Sequence, residues 1–281
     1  MRVTDEVIVS RQNKHIVKLV KLSDRKHRED MRLFRFDGIK LLCEAVRRQV
    51  PLDSLFVRAG AAERLDNRMR DLYGISLDDV DCRMFRVSEE LFDKISEEKS
   101  PEGVICVANY IDKFHKMYKI EDGNFSWPSD ASALLLESVR DPSNVGAILR
   151  SAAALGVTHV ILSEDCADLY HSKTVRASMG TMFSMSIDRV SQLPCVVRRL
   201  QDDGHRVFAS TLDENAKPLD TVTFKAGDCV IIGNEGHGLQ DETVTACDQT
   251  LYIPMQAQVE SLNAAVAAAL FLWEMGKVSN K

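Results

Sequence analysis

Five apolar runs in the second half of the chain constrain its fold more than any other feature. They are Ala133–Val139, Thr158–Leu162, Arg206–Thr211, Cys229–Gly233 and Thr250–Ile253, and they do not alternate polar with apolar residues. A strand with one face in water would alternate, so these runs predict strands buried on both faces. Helical segments lie between most of them, notably Asn144–Leu155, Gln192–Asp202 and Ser261–Glu274. Buried strands joined by helices predict an α/β unit with a largely parallel sheet over residues 131–281.

The first 111 residues read as shorter alternating elements. Helices are expected over Arg11–Leu22, ending near Ser23 and Asp24, and over Gly38–Arg48, Ala61–Leu72 and Ser88–Ile95. Strands are expected at Met31–Phe36, Leu55–Arg58, Cys82–Val87 and Gly103–Tyr110. The result is a small α/β domain over 1–111, joined through a turn-rich linker at 112–130 to a second domain at 131–281. A chain of 281 residues is long enough for each to bury its own core.

The net charge of −6 is unevenly divided. Residues 11–48 hold twelve Lys or Arg against five Asp or Glu, a net of +7, whereas 121–281 hold twelve against twenty-one, a net of −9. A basic segment on an acidic remainder suits one region that handles a polyanion, with Lys14, Lys18 and Arg25 as candidate contacts. The competing reading is a solvated helix face.

Composition excludes several classes. With 45% hydrophobic and 28% charged residues the chain is neither disordered nor membranous. The apolar stretch Ala264–Trp273 is too short to span a bilayer, and the start of the chain lacks a signal-peptide pattern, so a cytoplasmic protein is expected. Seven cysteines show no metal-ligand spacing; Cys106 and Cys229 sit inside apolar runs and read as buried reduced thiols. No metal is expected.

Ligands of an open parallel sheet bind at the carboxyl ends of its strands. Three loops there carry polar residues: Asp141–Arg150, Gly233–Gly238 and Ile253–Asn263. In the first, Asn144 stands at a helix start and Arg150 one to two turns further on. In the second, three glycines let backbone approach a ligand closely. In the third, Ser261 is the expected N-cap of an alanine-rich helix whose free amides suit a polar ligand. Each loop alone reads as ordinary turn or capping chemistry.

Together, in order, spacing and strand-end placement, the three loops closely resemble the signature motifs of the SpoU family, within the knotted SPOUT methyltransferase class. The resemblance spans roughly residues 131–277. Ser172–Gly180 resembles the family's intervening loop and adds Arg176 as an RNA contact. The first domain is similar, more loosely, to the ribosomal-protein-like RNA-binding domain that many members carry. The resemblance implies a deep trefoil knot, a homodimer with its clefts near the subunit interface, and S-adenosylmethionine as cofactor. It matches Gly233, Ile253 and Leu262 to the main cofactor contacts, with Met255, Ser261 and Asn263 beside them and Thr211 as a weaker candidate. Asn144 and Arg150 match the catalytic positions, and Glu235 matches a motif acid. One departure is Ala257, where many members have glycine.

The implied reaction is methylation of an RNA ribose 2′-hydroxyl, with ribosomal RNA preferred over transfer RNA. Two alternatives stand beside it: methylation of a base nitrogen by the same fold, and a non-catalytic RNA-binding assembly factor that keeps the pocket. A dinucleotide-dependent oxidoreductase is remote, because the glycine loop lacks GxGxxG.

Overall fold

A computed structural model describes residues 2–111, 130–234, 236–256 and 261–279. By their contacts the described residues form two compact units. One gathers the chain up to Ile111 together with Asp168–Phe183, and the other holds the remainder. The linker expected at 112–130 lies almost wholly outside the described residues.

The first unit is built on β1 (Arg2–Ile8), β2 (Leu33–Asp37), β3 (Leu52–Arg58), β4 (Arg83–Val87) and β5 (Val104–Asn109). Their order in the sheet is β1-β4-β3-β5-β2, with β1, β4 and β3 parallel and β5 antiparallel to both its neighbours. Helices α1 (Lys14–Lys21), α2 (Arg25–Met31), α3 (Ile39–Arg47), α4 (Ala62–Tyr73) and α5 (Glu89–Ile95) accompany it. Ile16 and Leu19 of α1 join Phe56, Phe85, Leu91 and Phe92 in one core cluster. Helix α2 follows the expected break: Asp24 accepts from the His27 amide and starts a new helix. Its sequence, RKHREDM, has no apolar period to betray it.

The second unit contains β6 (Ala133–Leu136), α6 (Pro142–Ala154), β7 (His159–Ser163), β8 (Ser186–Val190), α8 (Leu193–Asp202), β9 (Val207–Ser210), β10 (Lys217–Pro218), β11 (Cys229–Ile232), α9 (Asp241–Ala246), β12 (Gln249–Tyr252) and α10 (Ala264–Ser279). The sheet order is β10-β12-β9-β11-β6-β7-β8, and every neighbouring pair is parallel. All four residues of β6 and all four of β11 are buried, which is what an unalternating apolar strand requires. Burial pushes the Cys229 thiol up to about 12 and Cys106 well above its ordinary value, so both stay protonated. Among the described residues no helix is long and apolar enough to cross a membrane.

Between β7 and β8 the chain leaves this sheet. Residues 168–183, which the sequence grouped with the second domain, pack with the first unit, and Ser172–Ser178, expected as a loop, forms helix α7. Contacts of several kinds fasten it. Asp168 takes Nε and Nη2 of the buried Arg28 at 3.2 and 2.6 Å. The Tyr170 ring stacks on Tyr110 with centroids 3.9 Å apart, and Phe183 lies against Phe34 and Phe36.

Candidate active site

Strands β12, β9, β11 and β6 are consecutive in the sheet, so the loops at their carboxyl ends converge. The loops after β12, β9 and β11, with α10, enclose a cleft of about 290 Å³. Ser210, Thr211 and Leu212 enter it from β9, Ile232, Gly233 and Asn234 from β11, and Ile253 and Met255 from β12. Ser261 and Leu262 precede α10, which adds Ala264, Ala267 and Phe271. Of the expected cofactor contacts, Thr211, Gly233, Ile253, Met255, Ser261 and Leu262 therefore line one cavity.

The glycine loop closes as a tight turn. Asn234 and Gly238 exchange backbone hydrogen bonds of 3.1 and 2.9 Å, and Gly238 has φ +68°. A Cβ on Gly233 would fall 2.6 Å from both C and O of Gly238, so only glycine fits without the turn moving. Asn234, read from sequence as part of a turn, has a larger task. Its Oδ1 accepts the Gly236 and His237 amides at 2.8 and 3.1 Å, while its Nδ2 donates to Ser138 O at 2.9 Å. Its signal was the preference of asparagine for such local turns.

Asn263 does not line the cleft but fixes its rim. The residue that caps α10 is Asn263, not the expected Ser261: its Oδ1 accepts the Ala265 and Val266 amides at 2.9 and 3.3 Å. Capping leaves its Nδ2 to donate to Asn144 Oδ1, 3.0 Å away. Asn144 is held from its own side too, because Asp141 caps α6 through the Asn144 amide at 2.9 Å and Pro142 opens the helix. The first and third loops thus touch through two carboxamides.

Arg150 is not among the cleft-lining residues. Six residues of helix carry it about 9 Å along α6 and about 120° around from Asn144. It is exposed and has no hydrogen-bond or ion-pair partner among the described residues. Glu235 lies outside the described residues, as does Ala257. In the first unit Lys14 is exposed on α1, Lys18 approaches Asp53 at 3.7 Å, and Arg25 binds Glu29 at 2.7 Å. Arg176 is half-buried on α7. Among the described residues no group of three or more His, Cys, Asp or Glu side chains is placed to hold a metal.

Comparison with known proteins gives a match in each half of the chain. Residues 13–106 match the profile of the MRM3-like substrate binding domain, and residues 131–273, half of the chain, match that of the SpoU rRNA Methylase family. The 23S rRNA (guanosine(2553)-2'-O)-methyltransferase RlmP of Bacillus subtilis is 27% identical over 268 residues, covering 95% of this chain and 98% of the relative. A solved RNA 2'-O ribose methyltransferase superposes with a TM-score of 0.81 at 26% identity, over 98% of this chain and 100% of its own. The SpoU methyltransferase AviRb of Streptomyces viridochromogenes, solved in complex with AdoMet, gives 0.77 at 26% identity over 95% and 98%. The chain belongs to the SpoU rRNA methylase family.

Proposed function

We propose that this methyltransferase transfers a methyl group from S-adenosylmethionine to a ribose 2′-hydroxyl of ribosomal RNA. The observation that carries the reading is the strand-end cleft with Asn144 fixed at its rim by the capping residue of α10. The cleft suits the cofactor: Ile232, Leu251, Ile253 and Phe271 give apolar walls, and the bare Gly233 lets main chain come close. Hydroxyls of Ser210, Thr211 and Ser261 supply polar edges.

The cofactor supplies a methyl carbon made electrophilic by its sulfonium. Asn144, its Oδ1 engaged by Asn263, orients the ribose, and positioning of this kind accounts for much of the barrier reduction. Arg150 is no base, because a guanidinium offers donors and no acceptor. Its role is to bind the neighbouring phosphate and stabilise the developing alkoxide. The proton leaves to phosphate, water or Glu235.

Residues 1–111 capture RNA and residues 131–281 carry the chemistry, with the C-terminal chain threaded through a trefoil knot and the protein working in the cytoplasm. A homodimer is supported by α10, where Val266, Leu270 and Trp273 are 50%, 40% and 59% exposed at i, i+4 and i+7, a single apolar stripe.

With labelled cofactor and ribosomal RNA lacking 2′-O-methyl groups, the protein should label RNA in the presence of chelator. Alkaline hydrolysis should leave the label in an intact dinucleotide, because a methylated 2′-oxygen cannot attack the adjacent phosphate. Label recovered on a base, or none at all, would overturn the proposal.

Reversing Lys14, Lys18 and Arg25 together to Glu tests the basic segment. On single-stranded RNA, each phosphate that is no longer neutralised should flatten the slope of log affinity against log salt by about 0.7, hence about 2 for three. Cofactor affinity should not change. An unaltered salt slope would make α1 and α2 a solvated face only.

A further inference from the structure

Ser138, the second residue after β6, has φ +56°, one of only four non-glycine residues with positive φ among those described. A left-handed serine persists only where its surroundings over-determine it. Here they do. Ser138 N donates to Ser163 Oγ at 2.9 Å, Ser138 O accepts from Asn234 Nδ2 at 2.9 Å, and Ser138 Oγ donates to Asp165 Oδ2 at 2.6 Å. The other oxygen of Asp165 accepts from Ser163 Oγ at 2.6 Å, which aims that hydroxyl's free lone pairs at the Ser138 amide. Asp165 therefore acts on Ser138 twice, directly and through Ser163.

The carboxylate is anchored from behind. Arg189 Nη2 donates to Glu164 O and Cys166 O at 3.0 and 2.6 Å, bracketing Asp165 in the loop after β7. Arg140 Nη2 reaches Asp165 Oδ2 at 3.2 Å. Burial pushes the Asp165 carboxyl up, but the hydrogen bonds from Ser138, Ser163 and Arg140 outweigh it, so the group lies below its ordinary value and is ionised at neutral pH.

What Ser138 controls is direction. Three residues on, Asp141 caps α6 and delivers Asn144. Through its carbonyl, Ser138 is also tied to Asn234, the residue that closes the glycine turn. We infer that Asp165 is a positioning residue for methyl transfer: it holds Ser138 in the left-handed conformation that keeps the Asn144 loop in register with the glycine turn. The inference rests on the methyltransferase reading above.

Glycine adopts positive φ without strain, and this gives the test. In the full-length protein, Asp165→Ala should lower single-turnover methylation by about 10²-fold through misplacement of Asn144. The cofactor dissociation constant, measured by calorimetry, should stay within about threefold of the wild type. Adding Ser138→Gly should recover at least about tenfold of the lost rate, because the loop no longer needs the carboxylate to hold its turn. Amide hydrogen exchange of residues 138–144 should accelerate in Asp165→Ala and slow again in the double variant. A rate for Asp165→Ala within threefold of wild type overturns the inference. So does a rate loss matched by equal loss of cofactor binding and not relieved by Ser138→Gly, which would mark general damage. A wild type that methylates no RNA would instead sink the parent reading, and the exchange data alone would then decide whether Asp165 holds the loop.

Discussion

Arg150→Lys should slow single-turnover methylation by about 10²–10³-fold while leaving both cofactor affinity and thermal stability where they are. The stability half of that expectation comes straight from the structure. Arg150 is exposed and makes no hydrogen bond or ion pair among the described residues, so the fold loses nothing when the guanidinium goes. The cofactor half follows from its absence from the cleft lining. The rate half follows from geometry. Lysine keeps the charge but loses the planar fork that can hold a phosphate and aim a donor at the ribose oxygen together. A side chain that makes no polar contact among the described residues, keeps stability unchanged when replaced, and costs two or three decades of rate is acting on the transition state. A lysine variant within threefold of the wild-type rate would remove Arg150 from the mechanism.

Gly233→Ala should weaken S-adenosylmethionine with little change in the rest of the sheet. The new methyl would sit 2.6 Å from two backbone atoms of Gly238, which no side-chain rotation can relieve, so the turn must shift. Overpacking of this kind costs about 1–3 kcal/mol, roughly 5- to 150-fold in dissociation constant if the strain is released on the cofactor side. Gly236→Ala is the control, since among the described residues its Cβ would meet only Asn234 Oδ1 at 3.5 Å, an ordinary contact. Its affinity should stay within about threefold. Calorimetry giving both variants the same affinity would mean that the close approach at Gly233 has no part in binding.

The contrast between these residues shows what a sequence can reveal. Strands β6, β7, β9, β11 and β12 all fall within the apolar runs or one residue beyond them, and in β6 and β11 burial on both faces is what leaves the compositional mark; β12 buries only Leu251. Strand β8 does not: Ser186 is exposed and Arg189 half-buried at the sheet edge, and SIDRV has too little apolar content to stand out. Helix α2 is missed for the same reason. Within the site, the glycines announced a close approach without saying to what. The Asn144–Asn263 contact joins residues 119 positions apart and depends on which residue caps α10. Ser138 leaves no trace at all, since nothing in its identity marks a left-handed backbone; only its partners in three dimensions impose one.

The excursion of residues 168–183 sets an order on biosynthesis. Asp168 lies 57 residues beyond Ile111, so the first unit is still missing a piece of itself when its own sheet has been made. At about 5–20 residues per second the wait is roughly 3–11 s. Throughout it Arg28, destined for burial against Leu22 O, Ser23 O and Asp168, has its two carbonyls but no carboxylate. A buried ion pair broken on one side costs about 3–5 kcal/mol. The nascent N-terminal part must therefore stay open around Arg28, and its final closure falls due only when β7 has been translated and the chain has turned back.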